Sequence, residues 1–284
     1  MAEILKGKPL ADSIIEDLKG RVDNLKEHDI FPTLAVVRLG ERDDDLAYER
    51  GLKNKAVQSG IKVVVKELPI DANQKQVEHA IRDLNEDERI HGVLIFKPLP
   101  KHLDEKKICE TLIPEKDMDG ITGAAQADLY IGKNNFYAPC TAQSCVEILK
   151  YYGVELKGKR AAVIGRSPVI GKPVSMLLLN EHATVTICHS RSQELEKICS
   201  EAEVLIACAG RAKLVDDRFI NENQVIIDVG INFDENGKMV GDVAFDEVEP
   251  GVKAITPVPG GVGAVTSALL MQHVVIAAEK VAAK

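Results

Sequence analysis

Apolar positions along the chain follow two spacings, one typical of amphipathic helices and one typical of buried strands. Residues 9–28 carry apolar side chains at helical spacing, and TLAVVRLG at 33–40 is a β-branched run that predicts a buried strand. The elements predicted next are a helix within 45–61, a strand at 61–68, an amphipathic helix at 73–86 and a strand at 92–96. Strand, helix, strand, helix and strand in this order predict a parallel α/β sheet.

A second series of the same kind follows residue 140. Its predicted elements are a helix at 142–152, a strand at 159–165, a helix at 171–181, a strand at 183–190, a helix at 192–200, strands at 203–210 and 224–232, and a closing helix at 265–281. We therefore expect an α/β fold with two domains. Residues 1–140 are predicted to form an N-terminal three-layer α/β substrate domain, and residues 141–264 a C-terminal Rossmann-type domain. The final helix, 265–284, is predicted to pack back on the first domain.

Residues 97–140 show no clear periodicity and are rich in Pro, Gly and Asp, which favours functional loops. Ligands of parallel sheets bind beyond the carboxyl ends of the strands. We therefore expect one shared cleft, lined by the loops KPLP, DMDG, GRSPVIG, CHSRS and PVPGG.

The loop GRSPVIG joins a predicted strand to a predicted helix. Gly165 permits a tight turn, Ser167 can donate to a phosphate, and Gly171 allows the helix to pack close to the strand. Because Ser167 replaces the middle glycine of G-x-G-x-x-G, a plain strand-to-helix turn explains this loop about as well.

The end of the next predicted strand, 183–190, distinguishes an NAD site from an NADP site. An NAD site usually has a carboxylate there for the ribose hydroxyls, whereas this tip reads CHSRS. Ser190 and Arg191, with Arg166 from the preceding loop, favour a 2′-phosphate and hence NADP.

Composition and charge limit the classes of protein to which the chain can belong. The 284 residues are 45% hydrophobic and 28% charged, as in an ordinary soluble protein, and the net charge of −8 argues against nucleic-acid or anionic-membrane partners. No signal peptide and no membrane span is predicted. The six cysteines contain no C-x-x-C pair, so buried thiols in a reducing cytoplasm are expected rather than disulfides or a metal site.

Four loops together resemble the signatures of one enzyme family. They are PEKDMDG at 114–120, VIGRSPVIGKP at 163–173, DVGIN at 228–232 and TPVPGGVG at 256–263. Over about residues 5–278 the chain resembles the bacterial-type methylenetetrahydrofolate dehydrogenase/cyclohydrolase family. The PVPGGVG element after a GRS-type nucleotide loop is a specific combination.

The resemblance implies a two-domain, homodimeric enzyme that uses NADP and a folate substrate. Members transfer a hydride from the one-carbon bridge of 5,10-methylenetetrahydrofolate to the nicotinamide. Most also hydrolyse the resulting 5,10-methenyl cation to 10-formyltetrahydrofolate. The first step needs mainly alignment of two bound partners, and the second needs a positioned water and a proton acceptor.

By position, the resemblance implies catalytic roles for Asp119 at the pterin and for Tyr48 against the aminobenzoyl ring. Without the family resemblance, the sequence would predict only a turn residue at Asp119 and a half-buried helix aromatic at Tyr48. Further predicted substrate-site positions are Leu52, Phe96, Pro98, Leu99, Pro259, Gly260 and Gly261. The predicted NADP site comprises Gly165, Arg166, Ser167, Gly171, Ser190, Arg191 and Ile231.

The chain departs from the family where the hydrolytic step is assigned. The family signature S-x-x-Y-x-x-x-K, anchored on Tyr48, places Leu52 at the lysine, and Phe96 stands at the glutamine of V-Q-L-P-L-P. Lys53 is about 140° around the helix from Tyr48, and Lys55 lies roughly 10 Å further along the axis. Neither takes the i+4 position beside Tyr48.

These departures leave several hypotheses. The preferred one is an NADP-dependent dehydrogenase whose cyclohydrolase step is lost or weak, because an apolar corner protects the methenyl cation from water. The alternatives are a fully bifunctional enzyme, a relative with a changed substrate, and a non-catalytic NADP-binding protein.

Overall fold

The chain divides into two compact units. A computed structural model describes residues 1–133 and 135–283. One unit combines residues 1–11 with 141–266, and we call it the nucleotide unit; the other combines residues 12–140 with 267–284, and we call it the substrate unit.

The first half of the chain alternates strands and helices, as the apolar spacing predicts. Its elements are β1 (Glu3–Ile4), α1 (Gly7–Glu27), β2 (Thr33–Leu39), α2 (Asp43–Ser59), β3 (Lys62–Leu68), α3 (Gln74–Glu86), β4 (Gly92–Ile95), α4 (Glu105–Thr111) and α5 (Gly123–Tyr130). Strands β3, β2 and β4 form a parallel sheet in that order, and all seven residues of β2 are buried. The β-branched run therefore forms the central strand.

The segment predicted to be irregular contains two short helices. Helix α4 begins after Asp104, whose carboxylate accepts the Lys107 N–H, and α5 begins after Thr122, whose hydroxyl accepts the Ala125 N–H. At seven and eight residues, these helices are too short for a clear apolar period and are set by their N-caps.

The second half of the chain, together with β1, builds a six-stranded parallel sheet. Its elements are α6 (Cys140–Tyr151), β5 (Arg160–Ile164), α7 (Gly171–Asn180), β6 (Thr184–Cys188), α8 (Leu195–Ser200), β7 (Val204–Ala207), β8 (Val225–Asp228), β9 (Asn232–Phe233), β10 (Met239–Val240), α9 (Phe245–Val248), β11 (Ala254–Ile255) and α10 (Val262–Ala282). Over the described residues the strand order is β1-β11-β8-β7-β5-β6, and the recorded pairings are parallel. Strands β9 and β10 form a separate antiparallel pair.

The start of the chain corrects the predicted domain boundary. Glu3 and Ile4 pair with Ala254 and Ile255, so residues 1–11 belong to the nucleotide unit and not to a domain of residues 1–140. A two-residue strand is too short to show a period, and its pairing with a strand some 250 residues away leaves no local signal.

Helix α10 is more apolar than expected, since no stretch of this kind was predicted. By length and composition alone it could cross a membrane, contrary to the prediction of no such stretch. However, 61% of its apolar window is buried within the protein, as in a core helix. From Ser267 onward it belongs to the substrate unit, where Glu279 accepts two hydrogen bonds from Arg21 on α1 at 2.7 and 2.8 Å.

Candidate active site

The carboxyl edge of the small sheet gathers the predicted substrate residues of the substrate unit. Helix α2 follows β2, and Phe96 follows β4. A parallel bridge joins Val93 of β4 to Asp117, so the segment leading to Asp119 runs along β4 toward the same edge. Strand order and this bridge therefore place Tyr48, Phe96 and Asp119 at one edge.

Tyr48 and Phe96 form an aromatic pair at this edge. Their ring centroids are 5.3 Å apart and the ring planes meet at 44°. Tyr48 is 44% exposed, whereas Phe96 is 7% exposed. Burial of the Tyr48 hydroxyl raises its pKa well above the usual value, and the charges of Asp119 and Cys140 raise it further. One face of the Tyr48 ring is thus supported while part of it stays open to a ligand.

Leu52 lies one helical turn beyond Tyr48 on α2 and is only 1% exposed. The family resemblance predicts a lysine at this position. A buried leucine can neither hold a water nor accept a proton, and the same holds for Phe96. The corner beside Tyr48 is therefore apolar.

Lys53, the next residue, is held on another side of α2. Its Nζ lies 2.6 Å from Glu49 Oε1, while the other oxygen of Glu49 accepts a hydrogen bond from Arg38 Nε at 3.0 Å. Arg38 is 2% exposed and also contacts the Gly40 carbonyl and Glu67. This ion-pair network, buried at Arg38 and Glu49, ties α2 to the end of β2 and keeps the Lys53 amine bound to Glu49.

Asp119 is held from two sides. Its Oδ1 accepts the backbone N–H of Cys140 at 3.1 Å. The neighbouring Met118 carbonyl accepts hydrogen bonds from the Cys140 thiol at 3.3 Å and from His273 Nδ1 at 2.8 Å. Because a carbonyl only accepts, Nδ1 of His273 carries the proton, and burial lowers the pKa of this imidazole to about 4. A neutral histidine on α10 thus fixes the loop that carries Asp119.

The surroundings of Asp119 shift the pKa of its carboxyl. Burial raises the pKa of the carboxyl above the usual Asp value, against the Cys140 N–H, which lowers it. The buried Asp117 carboxylate raises it further, and the Lys97 ammonium lowers it. Asp117 itself accepts the N–H groups of Ile121 and Thr122 at 3.1 and 2.8 Å, which closes the D-M-D-G turn.

The remaining predicted substrate residues lie in two loops with cis proline bonds. In the substrate unit, Pro98 follows a cis bond and is exposed, and Leu99 is buried. In the nucleotide unit, Pro259 also follows a cis bond, and Gly260 has φ 103°, a conformation that favours glycine. The backbone at Gly261 packs against Pro257, so a side chain there would collide. A contact of Pro259, Gly260 and Gly261 with the substrate stays a prediction.

The glycine loop of the nucleotide unit has the geometry that phosphate binding requires. Gly165 has φ 137°, and a Cβ there would overlap the Cys208 carbonyl; a Cβ at Gly171 would overlap Gly165. The Ser167 hydroxyl oxygen accepts the N–H groups of Ile170 and Gly171 at 3.0 and 3.4 Å, so its own hydrogen is available to a ligand. Helix α7 begins at Gly171, beside this loop, with its positive dipole end there. These residues fit a dinucleotide phosphate.

The tip of β6 is a turn held by its own side chains. The His189 N–H donates to the Ser192 hydroxyl at 2.9 Å, and the Arg191 N–H donates to His189 Nδ1 at 3.2 Å. His189 therefore shapes the turn. Ser190 and Arg191 are exposed, as is Arg166, so the side chains predicted to bind a 2′-phosphate face solvent.

Sequence reasoning missed the residues that support these loops. His273 lies 155 residues from Met118, and Asp242 lies 31 residues from the Arg211 N–H that it accepts at 2.9 Å. No local pattern connects such partners. Ile231, a predicted NADP contact, is 64% exposed and directly precedes Asn232, whose amide donates to Asp242 at 2.9 Å. The sequence signals for this link are two glycines, Gly230 directly before Ile231 and Gly241 directly before Asp242.

Comparison with known proteins matches both halves of the chain. Residues 5–119 match the catalytic domain of tetrahydrofolate dehydrogenase/cyclohydrolase, and residues 139–282 match its NAD(P)-binding domain. The Bifunctional protein FolD of Carboxydothermus hydrogenoformans is 50% identical, with 98% of each chain covered. That of Clostridium kluyveri is 48% identical, with 97% of each covered.

Solved structures agree with this match. The crystal structure of the bifunctional enzyme FolD, methylenetetrahydrofolate dehydrogenase/cyclohydrolase, from Campylobacter jejuni is similar at a TM-score of 0.96 and 36% identity, covering 99% of each chain. The Trypanosoma brucei dehydrogenase-cyclohydrolase complexed with NADP cofactor and inhibitor is similar at a TM-score of 0.93 and 33% identity, covering 100% of this chain and 99% of that one. Matched over both domains, the chain belongs to the tetrahydrofolate dehydrogenase/cyclohydrolase family.

Proposed function

We propose that this protein is an NADP-dependent 5,10-methylenetetrahydrofolate dehydrogenase of one-carbon folate interconversion. The observation that carries the proposal is Asp119, a partly buried carboxylate held by Cys140 beside the half-exposed Tyr48 ring. In a protein of this family, a carboxylate and an aromatic face are suited to the two ends of a folate: hydrogen-bond donors of the pterin and the flat aminobenzoyl ring.

The chain's own residues act mainly by orientation. Asp119 would accept pterin N–H groups, and Tyr48, supported by Phe96, would hold the aminobenzoyl ring. The nicotinamide, when bound, accepts the hydride from the one-carbon bridge. Gly165, Ser167 and the start of α7 would hold the pyrophosphate of that cofactor. Hydride transfer then depends on alignment, since the reaction needs no proton from the protein.

Two observations support NADP over NAD. The tip of β6 offers Ser190 and Arg191 without a carboxylate, and Arg166 is exposed in the preceding loop. The Trypanosoma brucei relative is described as complexed with NADP cofactor. Paired assays with NADP and NAD at equal concentration test the preference.

For the second reaction, hydrolysis of the methenyl cation, the comparisons favour the fully bifunctional alternative over loss of the step. The relatives from Carboxydothermus hydrogenoformans and Clostridium kluyveri both carry the name Bifunctional protein FolD. Against a full rate stands the apolar corner of Leu52 and Phe96, which lacks a group that activates water. We therefore propose a bifunctional enzyme as the first candidate and one with a weakened cyclohydrolase as the second.

One experiment separates these candidates. Purified protein is supplied with 5,10-methenyltetrahydrofolate, and the decay of its absorbance is compared with the rate in buffer. Enzyme-accelerated decay comparable to NADP reduction supports the bifunctional candidate, whereas decay at the buffer rate supports the weakened one. Tight NADP binding without reduction by methylenetetrahydrofolate would instead favour a changed substrate or a non-catalytic role.

The proposal includes the functional division at about residue 140, a homodimer and a cytoplasmic location, as the family resemblance implies. Light scattering after gel filtration tests the dimer. A mass of one chain, about 31.0 kDa, would contradict it.

A further inference from the structure

Asp242 is a fully buried carboxylate that collects four N–H groups. Its Oδ2 accepts the backbone N–H groups of Ala209 and Gly210 at 2.6 and 2.8 Å. Its Oδ1 accepts the Arg211 N–H and the Asn232 side-chain amide, both at 2.9 Å. Asp242 therefore joins the loop after β7 to the loop after β8, and charge-assisted hydrogen bonds make this joint strong.

Asp228, the first residue of D-V-G-I-N, secures Asp242 in turn. Its Oδ1 accepts the backbone N–H of Asp242 at 2.9 Å and that of Gly230 at 3.0 Å. A side chain at Gly230 would overlap Asp242, and one at Gly241 would overlap Asp228. The two glycines thus allow two buried carboxylates and three backbone segments to meet in a small space.

The same hydrogen-bond network extends to a third loop at this edge of the sheet, the loop after β11. The Asp228 N–H donates to the Thr256 hydroxyl at 2.8 Å, and Thr256 begins the T-P-V-P-G-G signature. Two of the family signatures, D-V-G-I-N and T-P-V-P-G-G, are therefore linked with Asp242 by one hydrogen-bond network, which we call the carboxylate clamp: Asp228, Asp242, Asn232 and Thr256.

Strand order shows which part of a dinucleotide the clamp would serve. The glycine loop follows β5; β6 lies on one side of β5, while β7 and β8 lie on the other. In a Rossmann-type sheet the dinucleotide crosses this edge with its pyrophosphate at the central loop. The tip of β6, with Ser190 and Arg191, takes the adenosine half, so the loops after β7 and β8 face the nicotinamide half.

We propose that Asp242 is a positioning residue for the nicotinamide half of the cofactor, which it orients through the backbone of 209–211 and 230–232. This inference rests on the proposed function. The clamp sets the place of Ile231, whose exposed side chain precedes the anchored Asn232, without touching the cofactor itself.

The test separates the two halves of the cofactor. Binding of NADP and of adenosine 2′,5′-bisphosphate, which lacks the nicotinamide half, is measured by calorimetry for the wild type, Asn232→Ala and Asp242→Asn. Asn232→Ala removes one link and leaves three backbone N–H groups on Asp242, so it keeps the test usable where Asp242→Asn fails to fold. Asn236→Ala, in the exposed turn of the β9–β10 pair, is the matched control.

We expect Asn232→Ala to weaken NADP binding by up to about tenfold, because NADP must then reorder the loop around Ile231 and one charge-assisted hydrogen bond sets the upper limit of that cost. Binding of adenosine 2′,5′-bisphosphate and the KM for the folate should change little, as should all properties of Asn236→Ala. Equal loss of both ligands, or wild-type NADP affinity in Asn232→Ala, would overturn the positioning role. A wild type that binds neither ligand would refute the proposed function itself.

Discussion

The ring of Phe96 supports the ring of Tyr48, with 5.3 Å between their centroids. This pair joins the end of β4 to helix α2, and Phe96 stands where the family resemblance implies a glutamine. An apolar support on one face leaves the other face of Tyr48 for a flat ligand. The pair therefore favours binding of an aromatic substrate and disfavours an ordered water.

Replacing Tyr48 should weaken folate binding more than it affects the cofactor. Tyr48→Ala is expected to raise the KM for methylenetetrahydrofolate about tenfold, since an aromatic contact contributes about 1 kcal/mol beyond its buried area. Tyr48→Phe should retain most of the affinity. Tyr130→Ala is the control, because Tyr130 is 74% exposed in the same unit and outside the site. Steady-state kinetics with NADP saturating provide the measurement; equal KM values for Tyr48→Ala and wild type would contradict the assignment.

The apolar corner of Leu52 and Phe96 predicts that polar residues at these two positions increase hydrolysis of the methenyl cation. For the candidate with a weakened cyclohydrolase, the double change Leu52→Lys, Phe96→Gln should accelerate methenyl hydrolysis over wild type, by about a hundredfold where a general base is fully restored. The rate of NADP reduction should fall less, since hydride transfer does not need these groups. Lys53→Met is the control and should leave hydrolysis unchanged, because that amine is bound to Glu49. No gain in the double variant would show that other residues set the rate of the water step.

Lys97 should tune the pH dependence through Asp119. Burial raises the pKa of Asp119 and the Lys97 ammonium lowers it, so Lys97→Met removes a charge that favours the carboxylate. The pKa of Asp119 then rises further, and the carboxyl becomes protonated at a higher pH. The acid limb of kcat/KM for the folate should therefore move to higher pH in this variant. Lys101→Met, which removes an exposed lysine four residues on, should leave the limb in place; a shift to lower pH in Lys97→Met would contradict the account.

Arg191 should decide the choice of cofactor. Arg191→Ala is expected to lower kcat/KM with NADP by about tenfold or more, the usual effect of losing a charge-assisted contact with a phosphate, and to leave kcat/KM with NAD nearly unchanged. Arg218→Ala serves as control, since Arg218 pairs with Asp216 at 2.7 Å and lies outside the loop. An unchanged ratio of the two cofactors in Arg191→Ala would remove the argument for a 2′-phosphate site at this tip.

Local patterns predicted most of the strands and helices, because the fully buried β2 leaves a continuous, largely apolar run and the apolar face of α3 leaves a helical period. The pairing of β1 with β11 left none, since the two strands are short and far apart in the chain. The same limit applies to the site. Helical phase separates Leu52 from Lys53, whereas the contact of His273 with Met118 depends on tertiary packing that no local spacing contains.

The most direct test of the central claim is NADPH formation from 5,10-methylenetetrahydrofolate, compared between wild type and Asp119→Asn. The account predicts NADPH formation by the wild type. It also predicts a loss of about tenfold or more in kcat/KM for the folate in Asp119→Asn, with NADP affinity retained, because a neutral amide replaces a carboxylate that accepts charge-assisted hydrogen bonds. Tight NADP binding by a wild type that forms no NADPH would contradict the account.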